Sequence, residues 1–218
     1  MTPDLRLGRW QDALADVAQC DLLLCDPPYS ARTHEGQSDV RDDLDYSHFA
    51  PADVRELVAA WAPRVTAWVA CMTDDVLAPV YREAYEAAGM LGFAPVPIVS
   101  SRVRLTGDGP ASSTVWLMVA RHRTRALATW GALPGWYEAP REVISGMIGC
   151  KPVGLMRALI RDYSRPGDLI VDPFAGSGTT LDAARREGRR SIGAECDPAH
   201  YEIARKRLAA GYTPQLFA

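Results

Sequence analysis

Leu22-Leu23-Leu24-Cys25-Asp26-Pro27-Pro28-Tyr29 joins an uncharged aliphatic run to a carboxylate, two prolines and an aromatic ring. The run has the length and composition of a strand buried on both faces of a parallel sheet. The prolines end it, because neither has an N–H for the ladder and Pro27 keeps Asp26 out of the helical region. The stretch predicts a stiff corner just past a strand's carboxyl end, where open α/β sheets bind their ligands. There the Asp26 carboxylate and the Pro27 carbonyl can each accept one hydrogen from an exocyclic amino group, and Tyr29 can stack on the ring that carries it. Read by itself, Asp-Pro-Pro-Tyr is equally a turn anchored by a half-buried tyrosine.

A second stretch weighs against the plain turn. Asp168-Leu-Ile-Val-Asp172-Pro-Phe-Ala-Gly176-Ser-Gly178-Thr-Thr180 is again an apolar strand ending in an acid, followed by a glycine-rich turn and the start of a helix near Gly178. Glycines let backbone approach a ligand closely, and a helix amino end offers free N–H groups and positive potential. The lysine of a nucleotide-phosphate loop is absent, and no third glycine completes a dinucleotide fingerprint. A negative Asp172 at the mouth suits a ligand with a positive centre or an ammonium group rather than a pyrophosphate.

Together these stretches resemble the amino-group DNA methyltransferases that use S-adenosylmethionine. Asp26-Pro-Pro-Tyr29 is similar to their catalytic motif, and Asp172 to Thr180 to their cofactor motif. Lys151-Pro152-Val-Gly-Leu155-Met-Arg-Ala-Leu159-Ile160 resembles the Lys-Pro-led helix that precedes the cofactor motif. Gly188-Arg-Arg-Ser-Ile-Gly193-Ala-Glu195 and Asp197-Pro198 follow it in the family's manner. Catalytic before cofactor motif is the order of the family's β group. The likeness is strong over residues 1–30 and 149–211 and weak between 95 and 148. Several motifs in the right order are far more specific than any one.

Composition sets looser bounds. A chain of 218 residues, 48% hydrophobic and 23% charged, is ordinary for one soluble globular domain with a substantial core. No apolar run reaches membrane-spanning length, and the amino end lacks a signal peptide's apolar core. Cys20, Cys25, Cys71, Cys150 and Cys196 are scattered, form no Cys-x-x-Cys pair, and fit a reduced cytoplasmic compartment without zinc or disulfides. Cys25 closes a buried run, which favours packing over nucleophilic work. The net charge of −3 is a mild objection to a nucleic-acid partner, but its distribution is uneven. Acids dominate from Ala31 to Ala60. From Ser100 to Arg165 the balance reverses, with Arg102, Arg104, Arg121, Arg123, Arg125, Arg141, Lys151, Arg157, Arg161 and Arg165 against Asp108, Glu138, Glu142 and Asp162. A basic half is what phosphate contact needs, though some of these arginines are expected to be solvated charges.

In chain order, the pattern predicts a short strand at Leu5–Leu7 and a brief helix from Asp12 to Ala18. Trp10 or Asp12 borders the cofactor's adenine by resemblance, and Trp10 reads equally as core. Ser30 to Phe49 reads as a long polar loop after the corner, with His34 either near substrate or solvent-exposed. Its acids lack the EF-hand spacing, so calcium is rejected. A helix is predicted from Pro51 to Trp61, a strand from Val65 to Met72, and a helix from Val76 to Ala88 capped by Thr73 or Asp74. Strands follow at Phe93–Ser100 and Thr114–Ala120. Arg121 to Gly149, with four glycines, two prolines, Trp130, Trp136 and Tyr137, is the least regular part. The later elements are helices at Pro152–Tyr163, Gly178–Glu187 and Pro198–Ala210, the last capped by Asp197 and closed by Gly211. Strands are expected between them at Leu169–Val171 and Ser191–Ala194. The chain stops after that last helix, so the strand near Leu5 is expected to supply the sheet's next neighbour.

The resemblance implies a single α/β domain over 1–218. Its sheet is three-layer, Rossmann-like and mostly parallel, with circularly permuted motif order and a short target-recognition segment at about 121–149. It implies S-adenosylmethionine as cofactor, double-stranded DNA as partner, and base flipping into the corner, with Asp26, Pro27, Pro28 and Tyr29 catalytic. Asp172, Phe174, Gly176 and Gly178 would surround the methionine portion, with Pro173 and Ser177 also among the cofactor-binding residues. Thr179 and Lys151 would lie nearer its carboxylate, and Glu195 would accept the ribose hydroxyls. A recognition segment this short implies a short or relaxed recognition sequence, or a homodimer that pools two. Asp-Pro-Pro-Tyr is commoner in the N6-adenine members, so adenine N6 is the expected acceptor. The alternatives are N4 of cytosine and a non-catalytic, cofactor-sensing DNA-binding protein. Protein-glutamine methylating relatives carry Asn in place of Asp26.

Overall fold

The computed structural model describes residues 1–35, 48–104, 108, 112–123, 130–140 and 150–210. Its centre is β2 (Cys20–Cys25), whose alternate side chains enter two different cores. Leu23 and Cys25 point to one face, and Leu22 and Leu24 to the other, as the two-residue period of a strand requires. All four are at most 1% exposed, which explains the unbroken apolar run. Each buried leucine is worth about 1.5–3 kcal/mol, so a one-residue slip of register is strongly resisted.

Around it lie β1 (Asp4–Leu7), β3 (Val65–Thr73), β4 (Met90–Gly92), β5 (Val96–Arg104), β6 (Ser112–His122), β7 (Tyr137–Ala139), β8 (Leu169–Asp172) and β9 (Arg190–Glu195). The order is β1-β9-β8-β2-β3-β6-β5-β7, with β4 alongside β6. Among the described strands only β6 runs against the rest. The amino-terminal strand does fill the place beside β9, in parallel register.

Helices cover both faces. One core takes Val54, Leu57 and Trp61 of α3 (Pro51–Trp61) and Tyr81 and Tyr85 of α4 (Ala78–Ala87). Earlier in the chain come α1 (Trp10–Ala13) and α2 (Ala31–Glu35). The other core takes Leu155, Leu159 and Tyr163 of α5 (Val153–Tyr163) and Ala183 and Ala184 of α6 (Thr179–Arg186). The last helix, α7 (Pro198–Ala209), is capped by the Asp197 carboxylate, which accepts from the N–H groups of Ala199 and His200 at 2.7 and 3.0 Å. The result is the three-layer sheet expected.

Several expectations need correction. The loop predicted from Ser30 begins with α2, and its stretch 36–47 lies outside the described residues, as does the side chain of His34. The first short helix is Trp10–Ala13, earlier than Asp12–Ala18. The strand expected from Phe93 starts at Val96, preceded by the separate β4. The irregular segment contains β7, which pairs with β5. Gly211 lies outside the described residues.

Candidate active site

Strand register brings the two deciding stretches together. Leu23 of β2 pairs with Val171 of β8, so Asp26 and Asp172 leave adjacent parallel strands at the same edge of the sheet. Asp172 pairs in turn with Gly193 of β9, and β9 ends in Glu195. Three carboxylates therefore stand side by side along the carboxyl ends of β2, β8 and β9. Their charges interact: Asp26 and Glu195 both act on the carboxyl of Asp172.

The corner after β2 is held from several directions. Tyr29 donates its hydroxyl to Asp26 Oδ1 at 2.8 Å, and Lys151 forms an ion pair with Asp26 Oδ2. Asp74, 6% exposed, ties down the residues just past Tyr29. Its carboxylate accepts the Ser30 N–H at 2.9 Å, the Ser30 hydroxyl at 2.5 Å and the Thr33 hydroxyl at 2.6 Å, besides the Leu77 N–H at 3.0 Å ahead of α4. Burial alone would raise this carboxyl, but the Ser30 and Thr33 bonds outweigh it and bring it below its ordinary value. Asp74 was expected as a helix cap; its grip on the corner was not foreseen, since Ser30 lies 44 residues earlier. Phe49 also belongs to the site: its N–H donates to Tyr29 O at 2.9 Å and its ring meets that of Phe174.

The turn after β8 depends on glycine at two points. Gly176 and Gly178 have φ of +52° and +76°, the left-handed region that other residues rarely adopt. The Gly176 N–H donates to Glu195 Oε2 at 2.8 Å, while Glu195 Oε1 accepts from Asp197 N–H at 2.8 Å. These bonds orient Glu195 and leave each oxygen a further lone pair. Asp172, 2% exposed, accepts the Phe174 N–H at 2.9 Å and the Thr180 hydroxyl. Burial nonetheless pushes its carboxyl up to about 7, with Asp26 and Glu195 adding to the rise.

Other expected site residues are placed differently. The hydroxyls of Ser177 and Thr179 meet each other at 3.0 Å, and Thr179 accepts from Arg207 of α7 at 2.8 Å, so both side chains serve internal contacts. What remains toward the crevice is the amino end of α6, where the first N–H groups of a helix lack internal partners. Lys151, expected near the cofactor's carboxylate, meets Asp26 and lies over the Tyr29 ring, 5.3 Å from its centroid. Trp10 packs beside Trp61 at 6.5 Å between centroids, and Asp12 is exposed. Cys25 is fully buried with its Sγ 3.5 Å from that of Cys71, and burial pushes its thiol up.

A ligand bearing a sulfonium and an ammonium group fits this edge. Carboxylates from three strands lie along it, burial and the neighbouring acids raise the carboxyl of Asp172 to about 7, and the glycine turn admits close approach. S-adenosylmethionine carries both charges, so the donor set suits it.

The basic half is less available than its count suggests. Arg121 is 3% exposed, under the rings of Trp68 and Phe93. Arg157 and Arg161 pair with Glu187, and Arg165 stacks on Trp130 at 3.9 Å. Trp130 itself packs edge-on against Trp68, whereas Trp136 is 60% exposed. The side chains of Arg102, Arg104, Arg125 and Arg141 lie outside the described residues.

The chain is similar to several known proteins. Residues 101–206 match the sequence model of the N6_N4_Mtase family, described as DNA methylase. The type II methyltransferase M2.DpnII of Streptococcus pneumoniae is 48% identical over 60 residues, covering 28% of this chain and 22% of that protein. The type II methyltransferase M2.LlaDCHI of Lactococcus lactis subsp. cremoris is 41% identical over 63 residues, covering 29% and 23%. The matched stretch thus spans about a quarter of the length of these curated relatives. In fold, the chain resembles the crystal structure of the M1.HpyAVI–SAM complex, with a TM-score of 0.70, 18% identity, and 94% and 98% of the two chains covered. It also resembles PvuII DNA methyltransferase (cytosine-N4-specific), with a TM-score of 0.70, 13% identity, and 100% and 89% covered.

Proposed function

We propose that this chain is an S-adenosylmethionine-dependent DNA amino-methyltransferase, a reading that its motifs and the family match over residues 101–206 support, and that it methylates the exocyclic N6 of an adenine turned out of duplex DNA. The cofactor, when bound, supplies a methyl group on a sulfonium, and the chain's own residues do the rest. Asp172, the Pro173-Phe174 turn, Gly176, Gly178 and the amino end of α6 would hold its methionine portion, with Ser177 and Thr179 bracing the turn from behind. Glu195, already oriented by two backbone N–H groups, has lone pairs left for ribose hydroxyls.

A ring amino nitrogen is a poor nucleophile because its lone pair is shared with the aromatic system. Asp26 and the Pro27 carbonyl accept its two hydrogens and favour a tetrahedral nitrogen whose lone pair points into the crevice. Pro28 stiffens the bend, and Tyr29 supplies the stacking surface. Positioning and preorganised acceptors of this kind can supply most of a barrier reduction. A base must leave the duplex to reach such a corner. Trp136 is the described aromatic best placed to meet DNA from the recognition segment. Because that segment is short, the recognition sequence is short or relaxed, or a second copy of the chain contributes its own.

The observation that carries this reading is the departure of Asp26 and Asp172 from neighbouring strands at one edge. The test is transfer of tritiated methyl from labelled cofactor to DNA, followed by hydrolysis to nucleosides and mass spectrometry. N6-methyl-2′-deoxyadenosine is expected. N4-methyl-2′-deoxycytidine would overturn the choice of base, and DNA that binds yet stays unlabelled would make the chain a cofactor-responsive DNA-binding protein.

A further inference from the structure

The proposed reaction gives no task to Lys151, yet its ammonium sits in the middle of the corner. It pairs with Asp26 Oδ2 and lies 5.3 Å from the centroid of the Tyr29 ring. Those are the two positions that the reaction reserves for the base, whose amino group would donate to Asp26 and whose face would cover Tyr29. The pair is largely withdrawn from water, with the Lys151 and Asp26 side chains 18% and 25% exposed. Asp26 Oδ1 accepts the Tyr29 hydroxyl, so each carboxylate oxygen already has one partner. With Lys151 in place, a cation stands where the base's amino group and ring face would make their contacts.

The choice of side chain points the same way. Of the 24 basic residues in the chain, all but Lys151 and Lys206 are arginine. An arginine would grip a carboxylate with two parallel bonds from a planar fork, whereas an ammonium on a four-carbon stem makes a compact contact and can swing away. A chain that uses arginine at 22 of its 24 basic positions has the more easily displaced cation here.

We propose that Lys151 is a placeholder for the target base. In the DNA-free protein it neutralises Asp26, which otherwise stands beside Asp172 and Glu195, and it covers Tyr29; entry of the base exchanges its ammonium for the base's amino group. Lys151 is thus a positioning residue that acts through Asp26, and the inference rests on the methyl-transfer reading of the same corner.

Two measurements on the full chain test it. With only two lysines, lysine-selective isotope labelling gives two side-chain NMR signals, assigned by Lys151→Arg. Asp26→Asn is expected to shift the Lys151 signal and leave that of Lys206 in place; an unmoved Lys151 signal overturns the pairing whatever the enzyme does. In steady-state transfer of tritiated methyl to unmethylated genomic DNA, Lys151→Met, which keeps a similar stem without the charge, is expected to lower KM for DNA several-fold without raising kcat. Lys151→Arg is expected to raise that KM. An unchanged or raised KM in Lys151→Met overturns the placeholder role and points to a phosphate or cofactor contact. Wild-type protein that labels no DNA overturns the methyl-transfer reading instead, and the placeholder with it.

Discussion

Phe49 and Phe174 meet edge to face, with ring centroids 5.6 Å apart and planes at 87°. Phe49 follows the polar stretch after the Asp26 corner, and Phe174 belongs to the glycine turn, so this contact joins the proposed acceptor side of the crevice to the proposed cofactor side. Aromatic pairs of this geometry add about 0.5–1.5 kcal/mol beyond the area they bury. Phe49→Ala is expected to weaken both cofactor binding and methyl transfer, while Phe49→Leu retains most of each. Calorimetric titration of S-adenosylmethionine beside kcat for DNA checks this, and a variant with only one of the two reduced would show the sides to be independent.

Asp26 acts on the acceptor alone in the proposed chemistry. Asp26→Ala should lower kcat by about 10²–10³-fold, the scale for removing one preorganised group from a transition state. Calorimetry should find cofactor binding largely intact. Lost cofactor affinity would assign Asp26 to the other half of the site.

Asp172 makes stability depend on pH in a definite direction. Its carboxyl is pushed up to about 7, first by burial and then by Asp26 and Glu195, against roughly 4 in an unfolded chain. The folded protein therefore keeps a proton there that the unfolded chain has already lost. This contribution to stability is complete below the unfolded value and disappears as pH rises through about 7. Thermal unfolding of the ligand-free protein should give a lower Tm near about pH 8 than near about pH 6, with the difference reduced in Asp172→Asn. A cationic cofactor favours the ionised form, so its binding should release a proton near neutrality, read by calorimetry in two buffers of different ionisation heat.

Asp74 shows the opposite sign. Its carboxyl is held below the ordinary value by Ser30 and Thr33 despite burial, so its contribution is present above the ordinary value and lost as pH falls below it. Asp74→Ala leaves the Ser30 and Leu77 N–H groups without this acceptor and is expected to cost about 2–3 kcal/mol, measured by urea unfolding. Methyl transfer should fall as well, because the backbone after Tyr29 loses its anchor.

Gly193 has no room for a side chain. A Cβ there would lie 2.8 Å from Leu181 Cδ1, 3.0 Å from Asp172 O and 3.2 Å from Ala175 Cβ. Gly193→Ala is expected to destabilise by about 1–3 kcal/mol, the usual cost of overpacking, and to weaken cofactor binding by pushing on Asp172. Equal stability of variant and wild type in urea would show that the β9 backbone can retreat.

What the sequence disclosed was what local chemistry determines. Proline at the first turn and early acids marked α3 from Pro51 to Trp61, residue for residue. A full apolar run marked β2, and the Asp197-Pro198 pair marked the start of α7. What stayed hidden depends on partners distant in the chain. The α2 segment has no apolar periodicity, and Thr33 within it is held by Asp74, 41 residues away. Strands β4 and β7 are three residues each, too short for a period, and exist through pairing with β6 and β5. The site divides in the same way. Its acids and glycines announced themselves at strand ends, whereas Lys151 found a partner 125 residues earlier that no spacing rule could indicate.

The segment between the corner and α3 is pinned at both margins, by the Asp74 carboxylate gripping Ser30 and Thr33 and by Phe49 bound to Tyr29 O and packed on Phe174. Tyr29 is thereby tethered twice along the chain, through Ser30 just after it and through Phe49 across from it, so its ring cannot drift from the corner without one of these bonds breaking.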